Sequence, residues 1–232
     1  AEVYFLLMSG CGVGIDVSRR YIEKLPKVKK LNGETKTIVF EDSKEGWALG
    51  TLECCQAMWD GYAIEWDLSK LRPQGARLKT FGGRSSGPGP LDETLHFIKH
   101  MAEAHRDRRL SSLNAFDIVT KIAASVVVGG VRRSSIITLS DLYDVGMRDA
   151  KQGQFWHTNS HRAMSNNSAI YDEKPSSVEF MKEWLALAQS GTGERGIFNR
   201  SSINNLIPKR RRKRNDWTTN PCGEIILRPR GF

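Results

Sequence analysis

Near the C-terminus, Thr219-Asn220-Pro221-Cys222-Gly223-Glu224-Ile225 sets a carboxamide, a thiol and a carboxylate at alternate positions. Side chains two apart on an extended chain point the same way. An extended segment here puts Asn220, Cys222 and Glu224 on one face, with Pro221 and Gly223 adding little bulk between them. A nucleophilic or redox thiol, a proton acceptor and a hydrogen-bonding amide are the parts of an active site. The same residues also fit a Pro-Cys-Gly turn before a buried strand, with Cys222 as a small hydrophobe.

One further segment carries groups suited to phosphate. Arg77-Leu78-Lys79-Thr80-Phe81-Gly82-Gly83-Arg84-Ser85-Ser86-Gly87-Pro88-Gly89-Pro90 surrounds glycines with cations and hydroxyls, and backbone N–H groups freed by glycine can cradle an anion. A linker is the other reading, but Arg77, Lys79 and Arg84 argue against a passive one. Val131-Arg132-Arg133-Ser134-Ser135 is a second basic, hydroxylated loop, feeding a strand that runs on to Asp141. The glycine-rich Leu7–Ile15 stretch fits neither the dinucleotide nor the P-loop fingerprint and reads as a tight turn needing positive φ. His96 and His100 are four apart, as are His157 and His161, yet no Glu follows either first His, so the metalloprotease pattern fails. No metal site is expected. Cys11, Cys54, Cys55 and Cys222 match neither a zinc site nor a secreted disulfide framework. Cys54 and Cys55 cannot both face the core of one helix and read as packing residues.

The elements that must position these groups alternate in type. Lys36–Phe40 reads as a strand after an Asn32-Gly33 turn. Trp47–Trp59 follows a helical pattern, and Leu91, Leu95, Ile98, Met101 and Ala102 recur at helical spacing. A further helix spans about 114–128 and is ended by Gly129-Gly130. Ser176-Ser177-Val178-Glu179 is a capping box; Phe180, Met181, Trp184, Leu185 and Ala188 then line one helical face, and Gly191 stops the helix. Strands alternating with helices imply an α/β architecture with a mostly parallel sheet.

Asn220-Pro221-Cys222-Gly223-Glu224-Ile225 resembles the thiyl-radical finger loop of ribonucleotide reductases. The rest of the chain resembles the same family in order. Leu7-Met8-Ser9-Gly10-Cys11-Gly12-Val13-Gly14 is similar to its glycine-rich barrel segment, with Cys11 where that pattern has glycine. Arg77–Leu91 and Gly129–Ser140 are similar to its two specificity loops, Ser165-Asn166-Asn167-Ser168 to a strand near the substrate, and Gly193-Glu194-Arg195-Gly196-Ile197-Phe198-Asn199 to the entry of the next strand, with Arg195 where that pattern has Pro. Both loops resemble most closely those of the cobalamin-dependent, class II type.

The resemblance implies part of a ten-stranded α/β barrel. Residues 77–140 would be the effector and specificity region, and residues 215–232 the first arm of the finger loop. It implies Cys222 as the radical residue, Glu224 as base for the 3′ hydroxyl and Asn220 as a holder of the ribose. Gly82, Gly83, Arg84, Ser85, Ser86, Arg132, Arg133, Ser134, Asn166 and Asn167 would contact substrate or effector. Adenosylcobalamin is the implied cofactor, with contacts mostly outside this chain. The implied partners are a ribonucleotide, tri- or diphosphate, a deoxynucleotide effector, a thioredoxin-like or dithiol reductant, and a C-terminal part of the enzyme. Both ends read as cuts through a larger protein, and the chain alone is expected to be inactive.

The 232 residues carry a net charge of +9 and 39% hydrophobic side chains, with a mean hydropathy of −0.44. No stretch has the apolar length of a membrane span, and no signal segment is visible; the cysteine pattern makes a reducing cytoplasm the expected compartment. Much of the charge is local, in Lys209-Arg210-Arg211-Arg212-Lys213-Arg214. Between two irregular segments this run reads first as a solvated loop. A non-catalytic nucleotide- or nucleic-acid-binding module built on it is the competing reading.

Overall fold

The computed structural model describes residues 1–78, 83–128, 131–132 and 135–229. The chain begins with α1 (Glu2–Met8), β1 (Gly12–Asp16) and the short α2 (Arg19–Ile22). A β–α–β unit follows: β2 (Thr35–Val39), α3 (Lys44–Asp60) and β3 (Ala63–Asp67). Two long helices, α4 (Gly89–Ala104) and α5 (Ser112–Ser125), lead to a small ladder of β4 (Val127–Val128) and β5 (Val131–Arg132). Then come β6 (Ser135–Asp141), α6 (Val145–Arg148), α7 (Phe155–Thr158), a 3-10 turn at Ser160–Met164 and β7 (Ser165–Ile170). The chain closes with α8 (Ser177–Ser190), β8 (Gly196–Phe198), α9 (Arg200–Leu206), β9 (Thr218–Thr219) and β10 (Ile226–Leu227). Among the described residues no helix is long and apolar enough to cross a membrane.

The main sheet has the order β1-β6-β7-β8, and every pair is parallel. β6 lies inside it and is buried from Ile136 to Ser140, as a parallel strand covered on both faces must be. Its alternation divides the core. Ile136 packs with Tyr4, Leu7, Leu91, Leu95 and Ile98 beneath α1, α4 and α5. Ile137 and Leu139 pack on the other side with Ile170, Phe198, Ile203 and Trp217. The α/β, mostly parallel architecture expected from the alternation of elements is the one observed.

β2 and β3 form a separate parallel pair crossed by α3. Ser43 caps α3, its hydroxyl accepting from Gly46 N–H at 2.9 Å, and Gly61 ends it at φ 95°. Cys54 is fully buried, while Cys55 is half-buried against the same core. Trp66 on β3 donates to Asp92 of α4 at 2.7 Å, and its ring meets His96 edge-on.

The second long helix is shorter than the sequence pattern suggests. Ser111 and Asn114 form a reciprocal capping box at its start, but it ends at Ser125, ahead of the Gly129-Gly130 stop. The β-branched run Val126-Val127-Val128 loses side-chain freedom in a helix and suits a strand. Val127 and Val128 pair with Arg132 and Val131 instead. Ser165–Ala169, which reads alone as a polar turn, is strand.

α8 starts and stops as its sequence states: Ser176 accepts from Glu179 N–H, and Gly191 takes φ 64°. Among the described residues, however, its apolar face is left largely uncovered. Val178, Met181, Trp184 and Leu185 are all more than half exposed. The opposite side is held by Arg195, which stands where the family pattern has Pro. This buried guanidinium donates to Glu183 at 2.9 Å, to Ser140 Oγ at 2.9 Å and to the Asp141 carbonyl at 2.9 Å.

One buried ionic cluster fixes α5 to the segment before β7. Asp117 accepts from Arg162 through both oxygens, at 2.7 and 2.8 Å, and from His161 Nε2 at 3.2 Å. Burial pushes the Asp117 carboxyl up, but the bonds from Arg162 and His161 outweigh it, and its pKa falls below the ordinary value. Asp117→Ala leaves a guanidinium without its counter-ion, so denaturant unfolding should show a loss of about 3–5 kcal/mol at pH 7. A depressed carboxyl stabilises above its unfolded pKa of about 3.9. The difference between variant and wild type should therefore be full at neutral pH and shrink as pH falls through the lower folded value.

Candidate active site

The segment that carries Cys222 is not extended. Residues 221–223 form a turn closing the antiparallel hairpin of β9 and β10, in which Ile226 pairs with Thr219. Pro221 fixes its own φ, Gly223 takes φ 84°, and Gly223 N–H donates to the Asn220 carbonyl at 3.0 Å. Asn, Pro and Gly at the first, second and fourth positions are the residues a β-turn prefers. The expectation that Asn220, Cys222 and Glu224 share one face by strand alternation is thus corrected: the turn chemistry prevails over the two-residue period.

The turn itself joins two of the three. Asn220 Nδ2 donates to Glu224 Oε1 at 2.7 Å, while Asn220 Oδ1 accepts from Ile225 N–H at 2.9 Å. One carboxylate oxygen of Glu224 is thereby held, and Oε2 has no hydrogen-bond partner among the described residues. Cys222 stands exposed at the tip.

The hairpin lies against β1, and glycines make the room. A Cβ on Gly14 would sit 2.0 Å from the Thr219 carbonyl oxygen, and one on Gly12 would sit 2.9 Å from Pro221 Cδ. The tight turn expected in this stretch is present, with Gly10 at φ 79°. Gly12 and Gly14 serve a different purpose, which is close approach of a remote segment. Below the turn, buried Arg200 donates to the Trp217 carbonyl at 3.0 Å and to Asp16 at 2.6 Å, tying the base of the hairpin to the end of β1. Asn166 on β7 donates to the Pro221 carbonyl at 3.3 Å. Asn166 is therefore beside the turn, whereas Asn167 is buried on the other face of β7, its backbone N–H donating to Glu194 at 2.7 Å.

The first basic loop is more ordered than a flexible linker. Arg77 and Arg84 pair as an antiparallel bridge, Leu78 N–H donates to Gly83 at 3.0 Å and Ser85 N–H to Ala76 at 2.8 Å. Arg84 donates to Gly75 at 3.0 Å, and Ser85 Oγ accepts from Gly87 N–H. Among the described residues, the hydrogen bonds of Arg84, Ser85 and Ser86 all stay within this loop. Gly82 lies outside the described residues, as do Arg133 and Ser134; Arg132 falls on β5. The two loops flank the packed pair α4 and α5, the arrangement expected of them.

The basic run is partly engaged. Arg211 stacks on Trp217, 4.5 Å from its ring centroid, and donates to the Ile226 carbonyl; Arg214 makes a two-pronged pair with Asp216. Lys209, Arg210, Arg212 and Lys213 are exposed. The sequence reading missed Gly12, Gly14 and Arg200 as site-building residues. The Gly-x-Gly spacing was a usable signal, whereas nothing local marks Arg200.

The four free thiols differ in reactivity. Burial pushes Cys54 up to about 12 and Cys55 up to about 11, and only the thiolate attacks. Alkylation at pH 8 should label Cys11 and Cys222 at least about tenfold faster than the other two, as peptide mass spectrometry would show; equal rates at all four would contradict the burial described.

The parallel α/β sheet thus carries a cysteine-tipped hairpin packed on a glycine-bearing strand. Residues 24–102, which hold β2, α3, β3 and most of α4, match the family described as B12-dependent ribonucleotide reductase, insertion domain. The adenosylcobalamin-dependent ribonucleoside-triphosphate reductase of Lacticaseibacillus paracasei is 30% identical over 267 residues, covering 95% of this chain and 35% of that protein. The enzyme of the same description from Levilactobacillus brevis is 33% identical over 201 residues, covering 80% of this chain and 26% of that protein. A crystal structure of a B12-dependent, class II ribonucleotide reductase superposes with a TM-score of 0.78 at 27% identity, covering 97% of this chain and 36% of the other. Over nearly its whole length the chain is similar to B12-dependent, class II ribonucleotide reductases, and it spans about a third of the length of these relatives.

Proposed function

We propose that this chain is the radical-bearing part of an enzyme that converts ribonucleotides, as triphosphates in line with its relatives, to deoxyribonucleotides for DNA synthesis. The observation that carries the reading is the turn: an exposed thiol, with a carboxylate two residues on held through one oxygen by Asn220 and open at the other. Adenosylcobalamin, when bound, supplies a carbon-centred radical through homolysis of its cobalt–carbon bond. An exposed Cys222 suits a radical source that approaches from outside the turn, and the contacts to the corrin are expected on the rest of the enzyme.

In this reading the Cys222 thiyl takes the ribose 3′ hydrogen, re-forming its S–H bond and leaving a radical at C3′. The free oxygen of Glu224 takes the proton of the 3′ hydroxyl and later returns it, and the 2′ hydroxyl leaves as water on gaining a proton from a reducing thiol. Two thiols outside this chain, refreshed by a thioredoxin-like or dithiol reductant, supply two electrons, and the hydrogen returns from Cys222. Asn220 fixes the base while helping to hold the ribose. Gly83 to Ser86 with Arg132, together with Gly82, Arg133 and Ser134, contact the base and a deoxynucleotide effector. Free thiols at Cys11 and Cys222 suit a reducing cytoplasm.

The exposed cations of the 209–214 run support the competing reading of a nucleic-acid-binding module. Assay of the complete polypeptide with adenosylcobalamin, a dithiol and each ribonucleotide decides between them. Deoxynucleotide formation is expected. No turnover, with salt-dependent DNA binding that survives loss of Cys222, would favour the module.

A further inference from the structure

β7 begins at Ser165, but its neighbour β8 begins only at Gly196, opposite Ser168. Residues 165–167 therefore have no strand on that side. Two side chains stand in its place. Glu194 Oε2 accepts from Asn167 N–H at 2.7 Å. Lys151 Nζ donates to the Ser165 carbonyl and, at 2.7 Å, to Glu194 Oε1. The pair supplies one acceptor and one donor, as a neighbouring strand would. Lys151 is only 6% exposed, and charge-assisted bonds away from water hold geometry more firmly than neutral ones.

Asn166 lies between the two clamped residues and faces the other way, with Nδ2 on the Pro221 carbonyl. Pro221 immediately precedes Cys222. The clamp thus reaches the exposed thiol through one backbone segment and one side chain. We propose that the Lys151–Glu194 pair is a positioning device for the radical-bearing turn: it sets the backbone of residues 165–167 so that Asn166 holds Pro221, and with it Cys222, over β1. This rests on the reading of residues 220–224 given above, yet the coupling is a property of the chain itself and is measured without turnover.

Hydrogen–deuterium exchange read by mass spectrometry on the complete catalytic polypeptide, without substrate, tests it. Glu194→Ala should speed exchange about tenfold in peptides covering residues 165–170 and also in those covering 218–227. Glu194→Gln, which keeps an oxygen for the Asn167 N–H, should restore most of the protection in both. Asn166→Ala should speed exchange at 218–227 alone, and adding Glu194→Ala to it should change 218–227 no further. Unchanged exchange at 218–227 in Glu194→Ala, or additive effects there in the double variant, would show that the pair only closes the sheet edge and would overturn the proposal. Glu194→Asp, which withdraws the carboxylate by one methylene, carries the same cycle if the alanine variant does not fold. Failure of the radical reading would appear separately, as turnover that survives loss of Cys222, and would leave the exchange result standing.

Discussion

Cys222→Ser in the complete catalytic polypeptide is expected to lower deoxynucleotide formation by more than about a thousandfold while nucleotide binding stays within about twofold. The chemical reason is bond strength: a serine O–H holds its hydrogen far more firmly than a thiol, so the oxygen radical is much harder to form. The structural reason is that nothing in the turn depends on sulfur. The bonds that shape it run from Gly223 N–H to the Asn220 carbonyl, from Ile225 N–H to Asn220 Oδ1 and from Asn220 Nδ2 to Glu224. Serine is also close to cysteine in volume, and the site is exposed, so no packing is lost. A fall in rate with unchanged substrate binding and unchanged thermal unfolding would assign the loss to chemistry. A variant keeping more than about a tenth of the wild-type rate would remove Cys222 from the radical role.

Gly14→Ala should do comparable damage by a purely steric route. Its Cβ would lie 2.0 Å from the Thr219 carbonyl oxygen. That neighbour is backbone and cannot rotate away, so either the hairpin lifts or β1 shifts in the sheet. Overpacking of this kind costs about 1–3 kcal/mol or more, which for a domain of this size lowers the melting temperature by roughly 2–12 °C. Because Asn220 to Glu224 ride on the displaced hairpin, turnover should fall with it. Gly89→Ala is the control. Its Cβ meets nothing within 4 Å, it lies in the first turn of α4, and alanine there should be neutral or stabilising by a few tenths of a kcal/mol. Equal stability of Gly14→Ala and Gly89→Ala would mean that the hairpin does not rest on β1 as described.

Chemical identity and local shape were largely legible in the residues. The cap of α8 can be read from Ser176-Ser177-Val178-Glu179, because capping is decided within four residues. The parallel α/β class follows from alternating patterns of known length. The turn at residues 220–224 resembles the family's finger loop by its letters, and its neighbours resemble the same family by their order along the chain.

Placement was not legible, because it depends on segments far apart in sequence. The alternation rule gave the wrong shape to residues 220–224: a two-residue period holds only where a ladder continues, and Pro221 and Gly223 end it. The pattern of α8 shows an apolar face but not whether anything covers it, since a periodicity describes one partner of a contact. Gly12 and Gly14 look like turn glycines until the Pro221 ring and the Thr219 carbonyl are found against them. Arg200 and Lys151 look like surface cations until Asp16 and Glu194 are brought to them across the sheet. Sequence determined which groups this protein can use, because reactivity belongs to residues. Tertiary structure decided which of them meet, because burial and distance belong to pairs.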